Sequence, residues 1–345
     1  MKINKAAIAL ISAIGALTGC IKNQSVDFPD YKYKTVYFAL PYVPRTVELG
    51  EDEFVDNSLD NQHKVLIQAT LGGVRENKTD VTVGVAVDNS LCDRLYFPNN
   101  GPKITPLPSS HYKLASNQIT IPSGSIMGGV EVQLTDAFFA DPLSLTNTYA
   151  IPLVLSDVKG GADSILRGKT TVTNADRTNS AQWSIVPRDY VLYGLKYINE
   201  WHGTYLRRGR DVITGTVNKD TIRHKQYVEQ DELNKLTTTA YRTVNFPVIY
   251  KAANGSNINC TLQLSFDAAG TNCNVTAITP GVTAAGSGKF VKKGEVKSWG
   301  NKDRDALYLD YTVNITSPNM SIATKDTLVI RDRAITFEQI NPVYK

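Results

Sequence analysis

Val81-Thr82-Val83-Gly84-Val85-Ala86-Val87 decides the fold class of this chain. Its four valines fall at every second position, with small or hydroxylated residues between them. A helix would scatter those valines around its circumference, whereas a strand puts all four on one face. Branching at Cβ also suits a pleated surface better than a helix turn. Working outward, residues 63–70, 129–134 and 149–155 read as further strands. Turn clusters such as Pro98-Asn99-Asn100-Gly101-Pro102 and Pro122-Ser123-Gly124-Ser125 separate them, and this spacing argues for a sandwich. Pro152 inside an apolar run predicts an edge position or a bulge. Residues 135–139 suit one short turn of helix, and no long amphipathic helix is visible.

The first set of strands ends around Pro187-Arg188-Asp189-Tyr190 and a second begins near Trp201-His202-Gly203-Thr204-Tyr205. Candidates then recur at 223–229, 237–243, 246–250, 258–266, 273–278, 288–291, 307–315 and 321–330. Eight strands with short connections suit a closed barrel, which removes the sheet edges that invite aggregation. The expectation is all-β: an Ig-like antiparallel β-sandwich over 30–188, then a lipocalin-like antiparallel β-barrel over 195–345.

The start of the chain speaks to location. Lys2 and Lys5 precede an apolar run over 6–17, and Leu17-Thr18-Gly19-Cys20 follows. A basic start, about a dozen apolar residues and small residues before the cut describe a secretory signal, too short to span a bilayer. The cysteine after Leu-Thr-Gly resembles a bacterial lipoprotein lipobox. That resemblance implies a signal peptide over 1–19, lipidation of Cys20 and a tether over 20–29. Three acyl chains would anchor it firmly where one anchors marginally. Ile21, rather than Asp, follows the cysteine, which in Gram-negative lipoproteins implies the outer membrane; which side the domains face is left open.

Composition narrows the classes. Hydrophobic residues make up 42% of the chain, enough for packed cores. Loss of Lys2 and Lys5 with the leader lowers the formal charge from +4 to +2. Basic and acidic residues are interspersed, so no concentrated face for nucleic acid is expected. Beyond Cys20 the cysteines are Cys92, Cys260 and Cys273, an odd number that leaves at least one free thiol. A hairpin turning at 267–270 puts Cys273 opposite Leu264, on the face of Cys260 but about 13 Å along the strand. That distance argues against a bridge.

Tyr112-Lys113-Leu114, Ile119-Thr120-Ile121-Pro122-Ser123-Gly124-Ser125, Val130-Glu131-Val132 and Asn147-Thr148-Tyr149-Ala150-Ile151-Pro152-Leu153 occur in that order. The series resembles the β-sandwich module at the N-terminus of many Bacteroidota outer-membrane lipoproteins, some of which carry a family 18 endo-β-N-acetylglucosaminidase domain. The resemblance covers about 30–188. It implies a non-catalytic companion of Sus-like glycan importers, followed here by a lipocalin-like domain. The Asp-x-x-Asp-x-Asp-x-Glu signature of family 18 is absent from the sequence, so that activity does not carry over.

Motifs for chemistry are few. Ser110-His111-Tyr112-Lys113 fits Ser-x-x-Lys but lacks its companion motifs. His63, His111, His202 and His224 are far apart in sequence; His202 and His224 meet only if their strands are neighbours, and two ligands make a poor metal site. Asp303 and Asp305 read as turn residues. No cofactor and no metal is expected. Binding chemistry fits better, since sugars present apolar faces ringed by hydroxyls and suit aromatic platforms flanked by polar groups. Trp299, in a polar loop with Asn301, is the first candidate platform, its alternative being a tryptophan that plugs a barrel end. Trp201 and Tyr205 share a face. Arg207, Arg208 and Arg210 suit an acidic sugar such as a uronate, or else a solvated turn. Trp183 reads as a core anchor. The expected function is non-enzymatic glycan capture, with a glycan ligand, a Sus-like transporter complex and the membrane as partners. A carrier of a small apolar ligand, a structural partner of an outer-membrane complex and an enzyme are the rivals.

Overall fold

The computed structural model describes residues 30–345; the leader, Cys20 and the tether lie outside the described residues. The N-terminal domain contains β1 (Thr35–Tyr37), β2 (Tyr42–Glu48), β3 (Lys64–Gly72), β4 (Val81–Val87), β5 (Leu95–Tyr96) and β6 (Thr105–Pro106). It continues with β7 (Tyr112–Leu114), β8 (Gln118–Ile121), β9 (Met127–Leu134), β10 (Tyr149–Gly160), β11 (Ser164–Ile165) and β12 (Tyr190–Ile198). Hydrogen bonding links them in the order β11-β1-β3-β9-β8-β4-β10-β12-β2, with β6 on β10 and β7 on β9. The β8–β9 seam is a single pair, Thr120 with Gly129, so the sheet curls there into two leaves. Val65, Ile67, Val83, Ile119, Val132, Ile151 and Leu153 from both leaves fill one core. Most pairings are antiparallel, as expected, but β1–β11, β6–β10 and β2–β12 are parallel.

The seam explains one glycine. A Cβ on Gly128 would lie 2.0 Å from the Thr120 carbonyl oxygen, a backbone atom. Gly128→Ala should therefore destabilise the domain by about 1–3 kcal/mol, the usual cost of overpacking. A urea titration would show this as a lower midpoint at unchanged slope.

Pro152 lies in β10, an interior strand, paired with Leu192. It is tolerated because the β4 ladder begins only at Leu153–Val87. On that side the Pro152 carbonyl accepts from Asp88 N–H, and no strand asks for the missing donor. The register shift in β10 falls later, between Leu155 and Val158. The short helix is Asp136–Ala140, close to where it was expected.

The C-terminal domain is a closed antiparallel barrel. Its staves are β13 (Gly203–Gly215), β15 (Glu232–Ala240), β16 (Thr243–Lys251), β17 (Asn257–Phe266), β18 (Asn272–Ala277), β19 (Val282–Glu295), β20 (Arg304–Ile315) and β21 (Met320–Asp332). They pair in sequence and β13 closes on β21. The short β14 (Lys219–Arg223) pairs with the second half of β13. Side chains fill the interior: Phe246, Leu262, Leu264, Tyr311 and Val313 are all buried there. Cys273 pairs with Phe266 rather than Leu264, two residues farther from Cys260 than expected, and all three described cysteines are free and buried.

Two boundaries differ from the sequence reading. The strand β12 belongs to the N-terminal sheet, between β10 and β2, so the junction falls at 199–202 rather than between 188 and 195. Its sequence, Tyr190-Val191-Leu192-Tyr193-Gly194-Leu195, is apolar on both faces, because one face meets the sandwich core and the other a satellite cluster around Tyr42, Leu95 and Phe97. The chain after β21 also leaves the barrel. Its β22 (Val343–Tyr344) pairs with β5, and Ile340 and Tyr344 pack on the satellite cluster. The domains are further joined at the β15–β16 turn, where Tyr241 packs against the sandwich core. Its hydroxyl lies 3.2 Å from His63 Nε2.

Candidate binding groove at the domain junction

The strand β2 ends the sheet order and, among the described residues, pairs only with β12. Pro44 suits such an edge, where no ladder needs its missing N–H. Residues 332–342, on their way from β21 to β22, run along this edge. A groove of about 700 Å³ lies between them, lined by β2, by the 52–55 loop and by the returning tail. A smaller annex of about 290 Å³ adjoins it and shares Asp52, Phe54, Asp332 and Arg333.

The groove collects apolar surface that water should penalise. Phe54 is 82% exposed and Phe337 93% exposed, with Leu40, Val55 and Ile335 also exposed around them. Five large apolar side chains in one groove amount to a patch rather than the scattered exposure of ordinary surfaces.

Arg333 holds the groove's floor together. It is buried, and its guanidinium donates to the carbonyls of Leu49 (2.9 Å), Glu51 (3.2 Å), Asn199 (2.7 Å) and His202 (2.9 Å). Its carboxylate neighbour is Glu48, 3.7 Å away. Next to it Ala334 sits at φ 53°, in the left-handed region, with its N–H held by Asp332 Oδ1 at 2.9 Å. This strained turn swings the tail off the barrel and onto β2. Arg45 Nη2 donates to both Asp60 oxygens, at 2.6 and 2.7 Å. Glu48 is 2% exposed, and among the described residues its Oε1 has no hydrogen-bond partner. Burial raises the Glu48 pKa to about 7 against the opposing pull of Arg333, with Asp52 and Asp60 adding to the rise.

His202, on the other side of Arg333, is pushed down to about 4 by burial and by Arg333, Lys235 and Lys196. Its Nδ1 accepts from the Thr238 N–H at 3.1 Å, which fixes the neutral ring. The two groups oppose each other in pH. The His202 contribution is complete above about pH 6.5 and is lost as pH falls toward 4, because the unfolded chain then binds the proton. The Glu48 contribution is complete below about pH 4.5 and is lost as pH rises through 7. Glu48→Gln should therefore be about 3 kcal/mol more stable than wild type at pH 8 and nearly equal to it at pH 4.5. Denaturant midpoints across pH 4–8 check this.

The residues expected to bind are dispersed. Trp201 is buried and stacked on Phe266, with ring centroids 3.7 Å apart. Tyr205 is fully buried and donates to the Trp201 carbonyl at 3.0 Å. Their shared face is the barrel core, although Tyr205 also lines the annex and Trp201 a separate hollow beside Glu200. Arg207 is buried within the barrel on Asp326, Arg208 pairs with Asp231 and Arg210 with Asp220. The three arginines are strand residues of β13 rather than a solvated turn, and all are neutralised within the chain. Trp299 folds back on the barrel end: its indole N–H donates to the Ile330 carbonyl at 3.0 Å, and the Arg304 guanidinium covers its ring at 3.6 Å. Asn301 is exposed, at φ 56° in the turn beside it. Trp183 is only half-buried and pins a loop through Asp176 O, so it is no core anchor. His202 and His224 do not meet, since His224 bonds Lys225 O at the surface. Among the described residues no cluster of three or more His, Cys, Asp or Glu is arranged to hold a metal. Ser110, His111 and Asp141 form a hydrogen-bonded line of 3.0 and 3.1 Å. It lies outside the groove, and Asp141 also receives Tyr149 O–H at 2.7 Å, so the line staples a surface turn.

Comparison with known proteins agrees with this two-domain layout. A Bacteroides ovatus protein described as of unknown function is 50% identical over 92% of this chain and 100% of its own, with a TM-score of 0.86. The chain belongs to that protein's family. A domain of unknown function, DUF5627, matches residues 200–334, the span of the barrel. A family model described as an N-terminal domain matches residues 31–162. An auxiliary nutrient binding protein from Bacteroides thetaiotaomicron is 12% identical over 84% of this chain and 91% of its own, at a TM-score of 0.37. No curated protein matches. Both family models stop before residue 335, so one wall of the groove is the tail beyond them.

Proposed function

We propose that this chain is a non-enzymatic, lipid-anchored outer-membrane protein that captures glycans for a Sus-like uptake system. The observation that supports capture is the junction groove, whose lining combines two exposed phenylalanines with buried and half-buried carboxylates. A pyranose has C–H faces that lie on such rings, and its hydroxyls need acceptors at the edge. The barrel gives no comparable support to the small-ligand carrier, since packed side chains occupy its interior. The membrane anchor rests on Leu17-Thr18-Gly19-Cys20. Anchoring would confine the groove near a transporter and raise the local ligand concentration, with no chemistry required.

A glycan array on protein beginning after Cys20, followed by calorimetry on hits, tests capture. Binding of a glycan class with no product after prolonged incubation is the expected result. Phe54→Ala with Phe337→Ala should weaken that binding at least tenfold, about 1.4 kcal/mol, while leaving the thermal midpoint unchanged because both rings are already in water. A blank array, or release of product, would overturn the proposal. Incorporation of labelled palmitate that is lost in Cys20→Ala tests the anchor.

A further inference from the structure

We infer that the junction groove takes saccharides whose contacting units are uncharged, with Glu48 as the acceptor that reads a hydroxyl or amide N–H, and that it rejects uronates and other acidic sugars. This rests on the capture reading and names its ligand class. The charge on the groove carries it. Two arginines, Arg45 and Arg333, face four carboxylates, Glu48, Asp52, Asp332 and Glu338. Both arginines are spent. Arg45 places Nη2 on both Asp60 oxygens and Nη1 on the Thr46 carbonyl, and each of the three guanidinium nitrogens of Arg333 holds a backbone carbonyl. An acidic sugar would meet no cation free to make the bidentate contact that recognises a carboxylate.

The acceptors, by contrast, are in surplus. Glu338 is matched by Lys196 and Asn147. Asp52 turns one oxygen inward to Phe54 N–H, and Asp332 one oxygen to Ala334 N–H. Glu48 Oε1 is buried and has no hydrogen-bond donor among the described residues, an arrangement that is costly until a donor arrives. A neutral saccharide brings such donors on the same molecule as the apolar face that the two phenylalanines need. In the annex, Lys302 and Arg304 are taken by Glu53 and Arg331 lies 3.8 Å from Asp332, while Lys293 offers a single ammonium that cannot make a bidentate contact.

The test is calorimetry with two charge-contrasting series on the same protein. Neutral oligosaccharides (cello-, xylo- and manno-oligosaccharides) are compared with oligogalacturonides of equal length. At least tenfold preference for one or more neutral series is expected. Glu48→Gln combined with Asp332→Asn should reduce that preference to within about threefold, with the fold confirmed by circular dichroism. Oligogalacturonides that bind as tightly as every neutral series overturn this inference and leave capture standing. Preference retained in full by the double variant overturns the role of these carboxylates. Binding of neither series together with a blank array overturns both readings.

Discussion

Arg333→Ala is expected to destabilise the protein by about 3–5 kcal/mol and to split one thermal transition into two. The size follows from what the substitution leaves behind. Four backbone carbonyls, on Leu49, Glu51, Asn199 and His202, lose their donor, and Glu48 loses the cation beside it. Each buried acceptor left alone costs about 1–3 kcal/mol before relaxation, and removal of one partner from a buried ion pair alone costs about 3–5 kcal/mol. The split follows from position, since Leu49 and Glu51 belong to the sandwich side while β21 delivers Arg333 from the barrel. Arg333→Lys should rescue little, because a single ammonium cannot reach carbonyls on several sides. Differential scanning calorimetry reads both effects. A single transition at the wild-type midpoint would show that the junction does not depend on this residue.

Asp326→Ala should be comparably damaging, by about 3–5 kcal/mol, and confined to the barrel. Asp326 is 3% exposed. It accepts from Arg207 at 3.0 Å, from Arg223 at 2.5 Å and from the Tyr311 hydroxyl at 2.8 Å. Its loss strands Arg207 in the interior beside the Phe246 ring, with only Glu232 at 3.4 Å as a carboxylate partner. Arg207→Met together with Asp326→Leu should cost less than Asp326→Ala alone, since a matched apolar pair leaves less charge unpaired. Urea unfolding of the three variants measures this, and a double variant that is worse than Asp326→Ala would contradict it.

The fold was legible because its information is local. Alternation at Val81–Val87 and the evenly spaced strands after residue 200 each report which face of a strand meets a core, and the sheet obeys that. The boundary was not legible for a related reason. In β12 both faces are buried, so alternation disappears and its sequence does not say which sheet it joins. The candidate site was misread where one-dimensional reasoning equates polarity with exposure. Arg207 sits in an Arg-Arg-Gly-Arg run that looks solvated, yet its strand turns it inward to a carboxylate 119 residues away. Trp299 looked available in a polar loop until Arg304 and Ile330 O claimed it. The groove itself had a faint signal. Phe54-Val55 follows an acidic turn, and Phe337 lies in a tail with no periodicity, places where apolar residues have no core to enter. Only the return of the tail to β5 brings them to one groove, and such long-range pairing leaves no mark in sequence spacing.

The most direct test of the central claim is hydrogen–deuterium exchange of the soluble protein with and without a saturating array hit. Protection confined to β2, the 50–55 loop and residues 332–342 is the predicted footprint. Protection at residues 297–302 or within the barrel strands, with the groove unchanged, would contradict the account.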